Sequence, residues 1–197
     1  MSTGMTRRHD LWRIYRAYAS DPAFDRVKAD HGPKLMVPGR GSLWPRLVFV
    51  GEAPGEREAA TRRPFTGPAG RVLNTLLRHI GLTRSEIFIT NLVKYRPTIG
   101  VLTIRNRTPT PDEQRASKPY LLDEISVFDQ GTPVITLGSV AMGALHPLDH
   151  KISDVHGQGW YDADRAYVTL YHPAVAVYDE AMMPVLLADM ARVKELL

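Results

Sequence analysis

The chain has 197 residues, 44% hydrophobic and 23% charged, with a net charge of +4 and a pI near 9.4. That length and mix suit one α/β domain with its own core, spanning 1–197, and no apolar run approaches the ~18–20 residues a membrane helix requires. Cysteine is absent, which excludes disulfides, thiolate nucleophiles and any zinc or iron–sulfur site built on thiolates.

The stretch from Met1 to Trp12 is basic and polar, without the apolar core of a signal peptide, so a cytoplasmic location is expected. Residues 1–45 form an N-terminal segment packed on the rest: a helical pattern (Leu11, Trp12, Ile14, Tyr15, Tyr18), then a Gly/Pro-rich approach from His31 to Pro45. Beyond it, short apolar runs alternate with helix-type runs. Strands are expected at Arg46–Val50, Ile87–Leu92, Pro133–Leu137 and Tyr167–Tyr171, each rich in branched or aromatic residues. Helices are expected over Ala69–Ile80, over Asp112–Phe128, from near Ser139, and over Met183–Leu197. The second opens with Thr110-Pro111-Asp112-Glu113, an N-cap followed by a first-turn proline and early acids. The alternation predicts a three-layer α/β/α fold around a central four-stranded, mostly parallel sheet.

The unusual polar residues fall just after the strands: Gly51-Glu52-Ala53-Pro54-Gly55, Asn91, Gly138-Ser139 and His172-Pro173. Open parallel sheets bind ligands outside the carboxyl ends of their strands, so four strands aim polar groups at one rim. Each candidate has two readings. The segment Gly51 to Glu58 is either a plain loop with solvated acids or a turn whose N–H groups and carboxylates face a ligand. Phe65, among prolines and glycines beside Arg62 and Arg63, is either a plug under its loop or a stacking platform for a base. Asn91 in an apolar strand either caps a neighbouring loop or reads the polar edge of a base. His172 is either structural or a donor to an oxygen that gains negative charge. The basic stretch Lys94–Thr110, with Lys94, Arg96, Arg105 and Arg107, is either solvated surface or a phosphate contact. The acids near β-strand ends come from a single segment, which argues against a metal site.

Taken in order, these segments resemble family 4 of the uracil-DNA glycosylase superfamily. The resemblance rests on Gly51-Glu52-Ala53-Pro54-Gly55 with Glu58, on Arg63-Pro64-Phe65-Thr66-Gly67-Pro68-Ala69-Gly70, on Asn91-Leu92-Val93-Lys94-Tyr95-Arg96-Pro97, on Arg107 to Gln114, and on His172-Pro173-Ala174. It covers about Val48 to Val177. It implies an enzyme that flips uracil out of single- or double-stranded DNA and hydrolyses its N-glycosidic bond, acting as a monomer without a membrane partner. By the same resemblance, Phe65 stacks on the base, Asn91 reads its edge, backbone near Glu52 and Ala53 completes the pocket, and Glu58 crowds C5 so that thymine is refused. The resemblance implies that His172 stabilises the departing anion; the superfamily's water-activating Asp is replaced here by Ala53, and Glu52 is the candidate for positioning the water. Ser139, Arg107 and a wedge at Val177 or Tyr178 contact the DNA.

The chain departs from the family in three places. Members of family 4 usually carry an iron–sulfur cluster, whose four cysteines are missing here. Tyr95 and Ser117 stand at two of those positions, and the expectation is a cofactor-free protein with Tyr15, Tyr18 and Tyr95 packing part of the space. The tail of the last motif reads Val175-Ala176-Val177-Tyr178 instead of a leucine-rich wedge with an arginine. Arg62 stands where a glycine is common. Two alternatives stay open at this level: a glycosylase for another deaminated or modified base, and a non-catalytic DNA-binding relative.

Overall fold

Four runs of branched and aromatic residues form the parallel centre of the fold, because every residue in three of them is buried on both faces. In the computed structural model, which describes residues 4–29, 35–100, 102–163 and 165–197, the elements follow in chain order. They are α1 (Gly4–Ser20), α2 (Asp25–Ala29), β1 (Arg40–Gly41), β2 (Leu47–Gly51), α3 (Glu56–Thr61), α4 (Pro68–His79), β3 (Ile87–Asn91), β4 (Thr98–Ile99) and β5 (Arg105–Asn106). Then come α5 (Pro111–Ser126), β6 (Val134–Leu137), α6 (Ser139–Leu145), α7 (Ile152–Val155), β7 (Gly159–Asp162), β8 (Arg165–Leu170), α8 (Val175–Tyr178) and α9 (Met183–Lys194). Part of the Gly/Pro-rich approach, residues 31–34, lies outside the described residues.

The main sheet runs β1-β3-β2-β6-β8-β7, with β3, β2, β6 and β8 parallel. The sequence predicts those four and misses the two edges, so the sheet has six strands rather than four. Both edges are antiparallel: Arg40 pairs with Ile89 and Gly41 with Phe88, while Gly159 to Asp162 pairs with Val168 to Arg165. Edge strands have no buried face to impose an apolar run. β1 is wholly exposed and β7 nearly so. Gly41, at φ +140°, is one position where only glycine serves, since a Cβ would run into the Ile87 carbonyl.

Alternation along the strands splits the core into two layers. Leu47 and Phe49 of β2 pack with Leu73, Leu76 and Leu77 of α4 and Leu186, Met190 and Val193 of α9. Val48 and Val50 point the other way, onto Leu121 and Ile125 of α5 and Ala141 and Ala144 of α6. Helix α5 starts where the sequence predicts: the Glu113 N–H donates to the Thr110 hydroxyl at 3.2 Å and the Thr110 N–H donates to the Glu113 carboxylate at 2.8 Å. Such double-sided burial leaves the strand ends as the places where polar groups meet solvent, and all four parallel strands end on the same rim.

Candidate functional site

The rim is built from the ends of β2, β3 and β8 and the turn before α4. Gly51 lies level with Asn91 in the parallel ladder. A side chain at Gly51 would strike both the Asn91 amide oxygen and the Phe65 ring, so glycine there lets the two approach. Asn91 is 3% exposed. Its backbone carbonyl accepts a hydrogen bond from Lys94 Nζ at 2.5 Å. Its side-chain amide faces the cavity and has no protein hydrogen-bond partner among the described residues. A buried amide in that state is held ready for an external partner.

Phe65 sits at φ +53°, a left-handed conformation that costs a non-glycine residue about 1–3 kcal/mol. Two charged side chains hold the turn in that shape. Glu58 Oε1 accepts the N–H groups of Thr66 (2.9 Å) and Gly67 (2.7 Å). From the other side, Arg84 donates to the carbonyls of Phe65 (2.7 Å), Gly70 (3.1 Å) and Pro64 (3.3 Å), and its Nε donates to Asn74 at 2.6 Å. Any Cβ at Gly70 would collide with the Phe65 carbonyl. The ring is 6% exposed and belongs to the core cluster, so it is both a plug and a wall.

His172 follows β8. The Ala174 N–H donates to its Nδ1 at 3.1 Å, which makes Nδ1 the acceptor and leaves Nε2 as the N–H of a neutral ring. Burial pushes the imidazole down to about 4, with the Glu58 carboxylate opposing that shift. Its ring lies 5.6 Å from that of Phe65 at 29°.

Phe65, Asn91 and His172 line one cavity of about 230 Å³, together with Ala53, Glu58, Val177 and Tyr178. That is below the roughly 300–1,000 Å³ typical of drug-sized ligands, a size for one base rather than a whole nucleotide. Glu58 is the one acid among the described lining residues. A larger groove of about 720 Å³ runs between α1 and α5 but holds no strand-end residue.

Three residues expected at the site stand apart from the cavity. Glu52 is half-buried, its carboxyl pushed up by burial and held against that shift by a hydrogen bond with Thr108. Arg107 is committed to a two-pronged bond with Glu113 (2.7 and 2.6 Å), and its Nε donates to the Thr98 carbonyl at 3.2 Å. Ser139 is exposed at the start of the seven-residue α6, beside Gly138, which packs on His172. Lys94, read from sequence as part of a basic loop, is fully buried: its Nζ donates to Thr90, Asn91 and Glu124 within 2.6 Å. Sequence reasoning missed Asn106 as a cavity wall, and the positioning groups Arg84 and Lys94. A two-residue strand leaves no periodic signal, and a buried cation is indistinguishable in sequence from a surface one.

The positions of the family's cluster cysteines do not fit an iron–sulfur group. Tyr18, Phe24, Tyr95 and Tyr120 fill that region as packed rings, Tyr18 and Phe24 with centroids 4.0 Å apart. The Tyr18 hydroxyl bonds Ser117 at 3.0 Å and accepts the Lys94 N–H at 2.9 Å. Tyr15 lies elsewhere, its hydroxyl donating to Glu124 and accepting the Gly39 N–H. Among the described residues, no three acids or histidines gather as a metal site.

A sequence model described as the uracil DNA glycosylase superfamily matches residues 38–191. The chain is 38% identical to a type-4 uracil-DNA glycosylase of Saccharolobus solfataricus over 83% of its length and 77% of that protein. It is 36% identical to one of Thermotoga maritima, over 81% of each. Among solved structures, that of Pedobacter heparinus SMUG2 superposes with a TM-score of 0.59, covering 95% of this chain and 84% of that one at 13% identity, a likeness of fold alone.

Proposed function

This chain belongs to the uracil DNA glycosylase superfamily, and from that premise we propose that it excises uracil from DNA by hydrolysing the bond between N1 of the base and C1′ of the sugar. The observation that carries the reading is the meeting of Phe65, Asn91 and a neutral His172 around one base-sized cavity. The extruded base stacks on Phe65. The Asn91 amide, which presents both a donor and an acceptor, pairs with the N3–H and O4 of uracil. As the bond breaks, its electron pair moves into the base, and the His172 Nε2–H donates to O2 as negative charge gathers there. The base departs as an anion held by that hydrogen bond, the water oxygen bonds C1′, and the proton the water loses neutralises the base. A donor so placed is worth about 10²–10³ in rate, and a ring that is already neutral at physiological pH has no proton to lose before it acts.

Glu58, held rigid by two N–H donors, forms the wall that refuses a methyl group at C5. Glu52 remains our candidate for positioning the water, through a shell outside the cavity. Ala53 contributes backbone to the pocket. Tyr178, 89% exposed, and Val177, 40% exposed, border the mouth and serve as the wedge. Ser139 meets a backbone phosphate. Arg107 braces the neighbouring loop, and phosphate contact passes to the exposed Arg105. We read residues 1–197 as one catalytic domain, a cytoplasmic monomer that needs no cofactor and takes uracil in either strand context.

The test is incubation with a uracil-containing oligonucleotide and a search for alkali-labile abasic sites. Cleavage by the wild type and its loss in His172→Ala is the expected outcome. Intact oligonucleotide with both proteins, or equal cleavage by both, overturns the reading.

A further inference from the structure

The β4–β5 hairpin, whose stem reaches the cavity through Asn106, exposes apolar side chains toward its tip. Leu102 is 100% exposed, Ile99 60% and Ile104 44%. A folded chain rarely holds large aliphatic side chains together in water unless a partner covers them. The hairpin is also tied to the site: Asn106 of β5 lines the cavity together with Val177 and Tyr178. Thr98 pairs with Asn106 and Ile99 with Arg105. Thr98 is buried and Asn106 faces the cavity, so the pleat turns Ile99 and Arg105 outward together.

The base of the hairpin is braced. The Arg107 N–H donates to the Pro97 carbonyl at 3.1 Å, and Arg96 Nε donates to the Asn106 side chain at 2.7 Å. Gly100, at φ +115°, lets the tip fold so closely that a Cβ would meet the Thr103 carbonyl. A braced stem with an apolar tip and a cation in register beside it matches the way proteins prise open stacked bases: apolar side chains enter the step while a cation meets phosphate.

We propose that this hairpin is a second wedge, with Leu102 and Ile104 entering the duplex next to the extruded nucleotide and Arg105 meeting its backbone. The proposal rests on the function argued above. The strand that delivers a base to the cavity has to cross the mouth that Asn106, Val177 and Tyr178 share, and that strand is the occupant of the apolar tip. Two projections at one mouth divide the work of opening a duplex, and the hairpin compensates for the altered tail at Val175 to Tyr178.

The test compares wild type with Leu102→Ser/Ile104→Ser and with the conservative Leu102→Met. Excision is followed in single turnover on single-stranded and duplex uracil DNA. Binding is followed by 2-aminopurine fluorescence next to the lesion, a readout of unstacking that needs no catalysis. The ratio of duplex to single-strand excision is expected to fall about tenfold in the serine variant, with loss of the fluorescence rise, and to stay near wild type in Leu102→Met. An unchanged ratio with an unchanged fluorescence rise overturns the wedge. So does a concentration-dependent dimer of the wild type that the serine variant abolishes, because the occupant is then a second copy. If the wild type excises uracil from neither substrate, the function fails. The fluorescence then judges the wedge alone: a rise with wild type that the serine variant loses supports it, and no rise overturns it.

Discussion

Two regions of this molecule have been treated differently. Around the cavity, Glu58, Phe65, Asn91 and His172, all drawn from the motifs read in the sequence, converge on one hollow. Under α1 and α5, where relatives of family 4 would bind a cluster, tyrosine and phenylalanine rings pack instead. On the function proposed, the first region depends on particular atoms at particular distances. The second needs only that a volume be filled and the N-terminal segment held down, and aromatic burial does that without a metal. Lys94 joins the two. Its N–H is held by the Tyr18 hydroxyl, and its ammonium holds the Asn91 carbonyl.

The sharpest way to break the comparison is therefore at Lys94. Its ammonium and the Glu124 carboxylate are 0% and 1% exposed. Removing one partner of a buried pair leaves the other charge uncompensated, at a cost of about 3–5 kcal/mol. Lys94→Met should lose that much in urea denaturation, and the added Glu124→Leu should recover only part of it, because the Tyr15 and Thr90 hydroxyls then lose their acceptor. If the single variant unfolds at the wild-type midpoint, the two regions are not coupled through this pair.

At the cavity, His172→Ala should reduce single-turnover excision by about 10²–10³, or roughly 2.7–4 kcal/mol, with little change in unfolding. The depressed imidazole also sets a pH signature. Folded His172 binds a proton only near pH 4, while the unfolded chain binds it at its ordinary value of 6.5. Between those values the unfolded state holds more protons, so stability is fully present above about 6.5 and is lost as pH falls toward 4. Excision should likewise be independent of this group from pH 6 to 8 and decline only as the ring charges. Urea midpoints between pH 4 and 6.5, in wild type and in His172→Gln, check the sign: the variant should flatten the slope.

How much of this was legible beforehand follows the same division. Strands buried on both faces, such as Leu47 to Val50, announce themselves as apolar runs, and Thr110 with Glu113 announces a helix start. Edges such as Arg40–Gly41 carry no such signal, because two residue pairs in the ladder impose no period. The candidate residues were legible as motifs: Asn91 ends β3, His172 follows β8, and Phe65 stands in a Gly/Pro turn between α3 and α4. What holds them was not: nothing in the sequence distinguishes Arg84, clamped on the Phe65 turn, from the exposed Arg78, or buried Lys94 from its basic neighbours.

Tyr18→Phe tests the packed side of the comparison more gently. It keeps the ring and deletes the hydroxyl that accepts from Lys94 N–H, leaving a buried donor unpaired at a cost of about 1–3 kcal/mol. Unfolding should register that loss. Excision per folded molecule should hold if the aromatic region is scaffold, and should fall if the position of Lys94 reaches Asn91.

The smallest expected effect is at Arg62, where the family commonly has glycine. Arg62 ends α3 in the left-handed conformation, φ +53° and ψ +35°, a cost of about 1–2 kcal/mol for a residue with a Cβ. Its side chain is exposed, and among the described residues its Nε donates to the Met36 carbonyl, at 3.4 Å. Arg62→Gly relieves the strain while adding flexibility to the unfolded chain, worth about 0.5–1 kcal/mol against it. The net expectation is a gain of up to about 1 kcal/mol in unfolding. A loss of stability would mean that the guanidinium contributes more than its one long hydrogen bond suggests. If stability rises while affinity for uracil DNA falls, strain at this position was retained for a cation beside the Phe65 turn, and the site extends its phosphate contacts to α3.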